Sequence, residues 1–190
     1  YLLLKRNICQ GFGMDCNPEL IAAAQNNTAK LGFSNRFALH TGELADTRFL
    51  ENLRMEASPV QLVMANPPWR LVGSGRLPAT EARRKALFGD KGTFPLFASA
   101  ASSLLEEDGR FACIISPDRL QDMLAALNGA GLTPYLLQYI HKQKTSPATF
   151  VLIEARKGAH AKPSVAEPIA LYGPERFFTL ESLAFCPFLR

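Results

Sequence analysis

The order of strands and helices between residues 9 and 65 restricts the folds open to this chain more than any other feature. Apolar, strand-like segments near residues 10–15, 37–41 and 60–65 alternate with two helical segments. Strands that alternate with helices pair in parallel, because the chain has to cross back before the next strand begins. The sequence therefore predicts an α/β fold with a parallel sheet covered by helices on both faces.

Local signals place the two helices of this region. Asn17 suits the N-cap of the first helix, Pro18 its first position, and Gly32 the point just after its end. A second helix is expected over residues 46–55.

The pattern continues beyond residue 92 with helices predicted at 94–107 and 118–128 and strands predicted at 110–115, 135–141 and 149–154. The link between the last two of these strands is too short for a crossover helix, so they should be antiparallel. Residues 70–92 are predicted to form a long loop with a short helix near 82–88. A small strand is expected at 169–172, and the apolar tail is expected to pack on the body through Phe177, Phe178, Leu180 and Phe185.

Composition bounds the class of protein. The chain has 190 residues, of which 47% are hydrophobic, which suits one domain with a real core. No apolar run approaches the ~20 residues that span a bilayer, and the first residues do not resemble a signal peptide, so a cytoplasmic protein is expected. The four cysteines are scattered and expected to be free and buried. The three histidines are also too far apart in the sequence to suggest a metal site, so none is predicted.

Positive charge is clustered in two segments. The net charge is +4, residues 70–91 hold six Lys or Arg against two Asp or Glu, and residues 141–162 hold five against one. Such clusters suit a polyanionic substrate. Solvated surfaces explain them equally well.

The tetrapeptide Asn66-Pro67-Pro68-Trp69 directly follows the third predicted strand. Open parallel sheets bind ligands at the carboxyl ends of their strands. Two prolines fix the backbone and remove two donors, which leaves the Asn66 amide and the Pro67 carbonyl to accept hydrogen bonds from an NH2 group.

Such a pair of acceptors could activate a conjugated amine. The lone pair of an aryl amine is delocalised into its ring, and acceptors on its hydrogens would return electron density to the nitrogen. Trp69 would stack on the base that carries the amine, and positioning would supply much of the acceleration. The alternative is a rigid turn after a strand, with Trp69 in the core.

This tetrapeptide, in an alternating α/β chain, resembles that of the class I S-adenosylmethionine-dependent methyltransferases. The run Gly73-Ser74-Gly75-Arg76, with Pro78 and Ala82-Arg83-Arg84, is similar to the group that methylates the adenine N6 of nucleotide 37 in a valine tRNA. The resemblance covers residues 8–172 and is most specific between residues 62 and 110. The sequence departs from that group at Trp69, where tyrosine is more common.

The resemblance implies a Rossmann-like three-layer sandwich with a mostly parallel sheet and an antiparallel last strand. It divides the chain into a catalytic domain, residues 1–160, and an extension packed on it, residues 161–190. The family's glycine-rich loop is not found in the sequence. The first strand and that loop are therefore expected to be missing from the N-terminal side, and a fragment without them should bind the cofactor poorly.

The resemblance also assigns roles to individual residues. S-adenosylmethionine is the implied cofactor, with Asp15 on its ribose hydroxyls, Cys16 beside its adenine, and Gly42-Glu43 near the adenine amine. Asn66 is expected to contact the cofactor as well as the amine. Asp15 could instead cap a helix. The expected contacts to the phosphates of RNA, with tRNA favoured, are Arg70, Arg76, Arg83, Arg84 and Lys85.

Three other functions fit the same residues. The tetrapeptide also occurs in methyltransferases acting on a glutamine amide of release factors and in others acting on guanine or DNA bases. A catalytically silent RNA-binding fragment is the third alternative. The sequence indicates no oligomeric state.

Overall fold

The computed structural model describes residues 10–57, 59–71, 80, 84, 86–158, 162–175 and 177–185. The chain divides into two compact units, residues 1–59 and residues 60–190. No helix in the described part of the chain is long and apolar enough to cross a membrane.

The first unit alternates strands and helices as predicted, in the order β1 (Gly11–Asp15), α1 (Pro18–Lys30), β2 (Phe37–Thr41) and α2 (Thr47–Ala57). β1 and β2 are paired in parallel. Asn17 caps α1, because its side chain accepts the backbone N–H of Glu19 at 2.9 Å. Gly32 follows the helix with a φ of 73°, a conformation that glycine adopts without strain.

The second unit begins with β3 (Leu62–Ala65), β4 (Arg70–Leu71), β5 (Phe88–Gly89), α3 (Thr93–Leu104) and β6 (Arg110–Ile115). A 3-10 helix (Pro117–Arg119), α4 (Leu120–Gly129), β7 (Leu132–Gln143) and β8 (Ala148–Lys157) follow. The unit ends with β9 (Ser164–Val165), β10 (Ile169–Tyr172) and α5 (Leu180–Phe185).

A six-stranded sheet organises this unit in the order β10-β7-β8-β6-β3, with β9 also paired to β7. β3 and β6 are parallel, whereas β8 is antiparallel to both β6 and β7. The predicted antiparallel pair is therefore confirmed. Because β8 runs in the opposite direction, its amino end meets the carboxyl ends of β3 and β6 at one edge of the sheet.

The core of the second unit lies around this sheet and the helices α3 and α4. The side chains that are at most 1% exposed include Phe94, Phe111, Ile115, Met123, Leu127, Val151 and Ile153. Buried and more exposed residues alternate along β6, with Phe111 and Ile115 on the buried side, as expected of a strand with one buried face.

The tail does not pack entirely as the sequence predicts. Phe178 stacks on Tyr172 with ring centroids 5.0 Å apart, but Phe177 and Leu180 are 74% and 85% exposed, so their predicted burial is wrong. The helix α5 buries Ser182, whose hydroxyl donates to the Leu171 carbonyl at 3.1 Å. Residues two positions apart on a helix face away from each other, which leaves Leu180 in solvent.

The cysteines also differ from expectation in part. Cys113 is buried on β6, whereas Cys16 is exposed. Cys9 and Cys186 lie outside the described residues. Burial raises the pKa of the Cys113 thiol to about 12, so this thiol stays protonated and unreactive at neutral pH.

Candidate active site

The turn Asn66-Pro67-Pro68-Trp69 leaves the carboxyl end of β3, where the sequence predicts a ligand site. Asn66 is exposed and Trp69 half-buried, while Pro67 is less than 2% exposed. The Asn66 amide is thus open to a ligand. The Pro67 carbonyl belongs to a buried residue and can meet a ligand only if the atoms that cover it move.

The Trp69 ring is held on two sides by neighbouring side chains. Phe150, near the amino end of β8, meets it edge-on, with centroids 6.2 Å apart and an interplanar angle of 74°. The Arg70 guanidinium carbon is 5.3 Å from the Trp69 ring centroid, within the range of a cation–π contact. Trp69 is therefore neither a fully buried core residue nor a free surface side chain.

A second short pair of strands fixes the turn from another side. β4 and β5 pair in parallel, with Arg70 opposite Phe88 and Leu71 opposite Gly89. A Cβ atom added to Gly89 would lie 2.6 Å from the Pro68 carbonyl oxygen and 2.7 Å from Thr93 Oγ1. Glycine is required here, because the turn and the start of α3 approach too closely for a side chain.

The main chain of the turn is also bound by a buried arginine. Arg119, at the end of the 3-10 helix after β6, donates from Nη1 to the Trp69 carbonyl at 2.9 Å. β6 lies next to β3 in the sheet, so its carboxyl end brings Arg119 to the same edge. The turn is thus held from its own strand and from the segment that follows the neighbouring strand.

Four of the five predicted cofactor residues meet at one edge of the first unit, whereas the fifth, Asn66, belongs to the second unit. Asp15 and Thr41 are register partners at the ends of β1 and β2, and the Gly42 N–H donates to the Asp15 carbonyl at 3.1 Å. Cys16 and Glu43, which come next along the chain, are exposed. The structure therefore brings these four predicted residues together.

Two of them have structural contacts as well. The Asp15 carboxylate accepts the N–H of Asn17 at 2.8 Å, and a carboxylate retains further acceptor positions after one such bond. A Cβ atom on Gly42 would lie 2.3 Å from the ring of Phe49. Packing against α2 therefore requires glycine at position 42, independently of any contact to a cofactor.

The predicted phosphate-binding residues are only partly described. Arg70 and Arg84 are exposed, and the Arg84 N–H donates to the Thr80 carbonyl at 3.0 Å. Arg84, Ala86 and Leu87 are helical, in line with the short helix predicted near 82–88. Arg76, Arg83 and Lys85 lie outside the described residues.

No model of a known protein family matches the sequence, and no curated protein matches it. Solved structures do share its fold. A predicted O-methyltransferase from Agrobacterium tumefaciens is similar with a TM-score of 0.69 and 18% sequence identity, over 92% of this chain and 75% of that chain. The fold is that of the class I methyltransferases.

Two further structures with this methyltransferase fold are more distant. The fibrillarin pre-rRNA processing protein of Methanococcus jannaschii has a TM-score of 0.53 at 6% identity, over 81% of this chain and 58% of that chain. A geranyl diphosphate methyltransferase in complex with S-adenosylmethionine has a TM-score of 0.52 at 10% identity, over 82% of this chain and 72% of that chain. The predicted Rossmann-like class is confirmed at the level of the fold.

Sequence reasoning missed the residues that support the turn. Arg119 and Phe150 follow the turn by 50 and 81 residues, and nothing local in the sequence links them to Trp69. One signal was available for Arg119. The segment Ser116-Pro117-Asp118-Arg119 follows the carboxyl end of a strand, which is where open parallel sheets bind ligands.

Proposed function

We propose that this chain is the catalytic part of an S-adenosylmethionine-dependent methyltransferase that methylates the exocyclic amine of a nucleic-acid base, most specifically adenine N6 in tRNA. The observation that carries the proposal is the exposed Asn66 at the carboxyl end of β3, beside a half-buried Trp69 that neighbouring side chains hold. The methyltransferase fold of the chain agrees with it. The cytoplasm, where tRNA is found, is the proposed location.

The first unit offers donors and acceptors that suit the cofactor. Asp15 stands at the end of β1, and its carboxylate can accept hydrogen bonds from the two hydroxyls of a ribose. Cys16 and Glu43, both exposed at the same edge, would lie beside the adenine. S-adenosylmethionine supplies a methyl group on a sulfonium, which is electrophilic without help from the protein.

Asn66 would prepare the amine for transfer. Its amide oxygen accepts a hydrogen bond from the NH2 group, which orients the nitrogen lone pair and increases electron density on it. A neutral acceptor suits this task, because the amine would bond to the methyl carbon as the carbon–sulfur bond breaks and S-adenosylhomocysteine leaves. The methylated nitrogen would lose its proton to water only afterwards, so no strong base is needed. The carbonyl of Pro67 would be a second acceptor once uncovered.

Trp69 and Arg70 would bind the nucleotide. A base stacked on an aromatic side chain gains ~1–3 kcal/mol, and the backing by Phe150 limits how far the indole can tilt. Arg70 is exposed and can turn from the indole toward a phosphate, a contact that Arg84, Arg76, Arg83 and Lys85 would extend. The target adenine has to leave its stack to reach Asn66, which favours a nucleotide in an RNA loop.

A panel of acceptors tests this function. The full-length protein is incubated with S-adenosylmethionine labelled in its methyl group and, separately, with bulk tRNA, rRNA, DNA and a release factor. We expect label in tRNA, recovered as N6-methyladenosine after digestion to nucleosides. Label in the release factor alone would establish a glutamine-amide methyltransferase, and label in DNA or in guanine would overturn the adenine assignment. Absence of both transfer and cofactor binding would favour a silent RNA-binding protein.

A further inference from the structure

Arg119 is a buried cation at the edge of the sheet where the turn lies. It is 5% exposed and ends the 3-10 helix Pro117–Arg119. A buried guanidinium is costly unless its N–H groups are paired. Its partners therefore show which parts of the molecule the charge holds together.

Three contacts from three parts of the second unit surround this guanidinium. Nη1 donates to the Trp69 carbonyl at 2.9 Å, and Nε donates to Asp122 Oδ2 on α4 at 2.8 Å. The guanidinium carbon lies 4.5 Å from the ring centroid of Phe94, at the start of α3. Arg119 thus ties the main chain of the turn to two helices.

The turn depends on such a contact because of its own composition. Pro67 and Pro68 have no N–H groups, so the backbone there cannot be fixed by donating hydrogen bonds. It can be fixed by packing, as at Gly89, and through its carbonyl groups. The carbonyl that Arg119 binds belongs to Trp69, the residue whose ring would stack on the base.

We infer that Arg119 is a positioning residue that sets the orientation of Trp69, and through it the base, without touching the substrate. This inference rests on the proposed function and deepens it. The contacts with Asp122 and Phe94 fix the orientation of the guanidinium. Its hydrogen bond then fixes the position of the Trp69 carbonyl. Small displacements at this point move the indole and the amine that Asn66 has to meet.

Lysine cannot replace this arrangement fully. The planar guanidinium offers Nε and Nη1 in a rigid fork, so one side chain binds Asp122 and the Trp69 carbonyl at the same time. An ammonium group is a point donor on a flexible stem, and it would keep the charge near Asp122 while losing the fixed direction toward Trp69. We therefore expect the tryptophan emission and the kcat of Arg119→Lys to lie between those of wild type and Arg119→Met.

The single tryptophan of the chain makes the inference measurable without any activity. Fluorescence of wild type, Arg119→Lys and Arg119→Met is recorded, with the Trp69→Phe variant as the blank. Arg119→Met should shift the emission to longer wavelength and increase quenching by acrylamide. The matched control is Arg36→Met, which removes an arginine 5.3 Å from the ring of Phe33 and should leave the emission unchanged.

Steady-state kinetics then separate positioning from binding. Arg119→Met should lower kcat by about 100-fold, the typical effect of a displacement near 1 Å at a reaction centre, with a smaller change in KM and partial recovery in Arg119→Lys. Emission and quenching equal to wild type in folded variants would overturn the inference. If Arg119→Met does not fold, Arg119→Lys decides by the same spectra. If the wild-type protein transfers no methyl group, the proposed function fails and the spectra still test the role of Arg119.

Discussion

Asp15 is the residue through which the first unit would bind its cofactor. Replacing it by asparagine keeps an acceptor for the Asn17 N–H but removes the charge that a ribose hydroxyl would meet. Hydrogen bonds to charged groups contribute ~1.5–3 kcal/mol, so Asp15→Asn in the full-length protein should raise the Kd for S-adenosylmethionine by about 10- to 100-fold, measured by calorimetry.

A second carboxylate of the same unit provides the control. Asp46 Oδ1 accepts the N–H of Phe49 at 3.0 Å at the start of α2, much as Asp15 does near α1. Asp46→Asn should leave the Kd unchanged. Equal affinities for the two variants would remove Asp15 from the cofactor site.

Cys113 makes stability depend on pH in the alkaline range. Burial raises its pKa to about 12, whereas an unfolded cysteine has a pKa of ~8.5. The unfolded chain therefore loses this proton first. The stabilising effect is complete below pH ~8.5 and declines as the pH rises toward 12, by up to ~1.4 kcal/mol per pH unit.

The variant Cys113→Ala isolates this effect. It lowers stability at neutral pH by leaving a cavity, but it should show a flatter alkaline decline than wild type when urea unfolding is followed from neutral to alkaline pH under reducing conditions. Parallel declines for the two proteins would show that the thiol is not protected in the folded state.

At the scale of elements, Gly89 joins β5 to the turn. Alanine there places a Cβ atom 2.6 Å from the Pro68 carbonyl oxygen, so either β5 or the turn must move. Overpacking of this kind costs ~1–3 kcal/mol, and the free energy of unfolding of Gly89→Ala should fall by that amount. Gly129→Ala is the control, since its Cβ meets nothing within 4 Å and should stabilise α4 by ~0.4–1 kcal/mol. Similar effects at both glycines would contradict the close approach.

Elements with strong local signals could be predicted from the sequence. β6 and β10 have the predicted ends, and α1 begins after Asn17, because alternation, caps and glycines act over a few residues. β7 was predicted too short. It includes Pro134, which strands usually exclude, but Pro134 lies at a register shift with β8, where a missing N–H is tolerated.

Elements that depend on distant partners could not be predicted. β4 and β5 have two residues each and exist only because residues 70–71 and 88–89 pair with each other. The same limit applies to the candidate site. The turn was predicted from its position and chemistry and Asp15 from the family resemblance, whereas Arg119, Phe150 and Gly89 support the turn through tertiary contacts that no local pattern encodes.

For the whole molecule, the proposed binding of RNA should depend on the positive charge of the basic segments. If Arg70 leaves the indole to bind a phosphate, the association constant K of Arg70→Ala for RNA should fall less steeply with salt. The plot of log K against log salt should be shallower by ~0.7–0.9, the contribution of one neutralised phosphate. Fluorescence anisotropy with labelled tRNA at several salt concentrations measures the slope. Arg54→Ala on α2 serves as the control because it lies outside both basic segments. An unchanged slope in Arg70→Ala would show that Arg70 stays on Trp69.

Methyl transfer by wild type and Asn66→Ala, compared side by side, tests the central claim most directly. Asn66 is exposed, so its truncation should leave stability unchanged, and Asn52→Ala on α2, also exposed, is the matched control. With tRNA as substrate and N6-methyladenosine quantified by mass spectrometry, we expect kcat of Asn66→Ala to fall by about 100-fold, as for other preorganised hydrogen-bonding groups. A wild-type rate in Asn66→Ala would contradict the proposed activation of an amine at this turn.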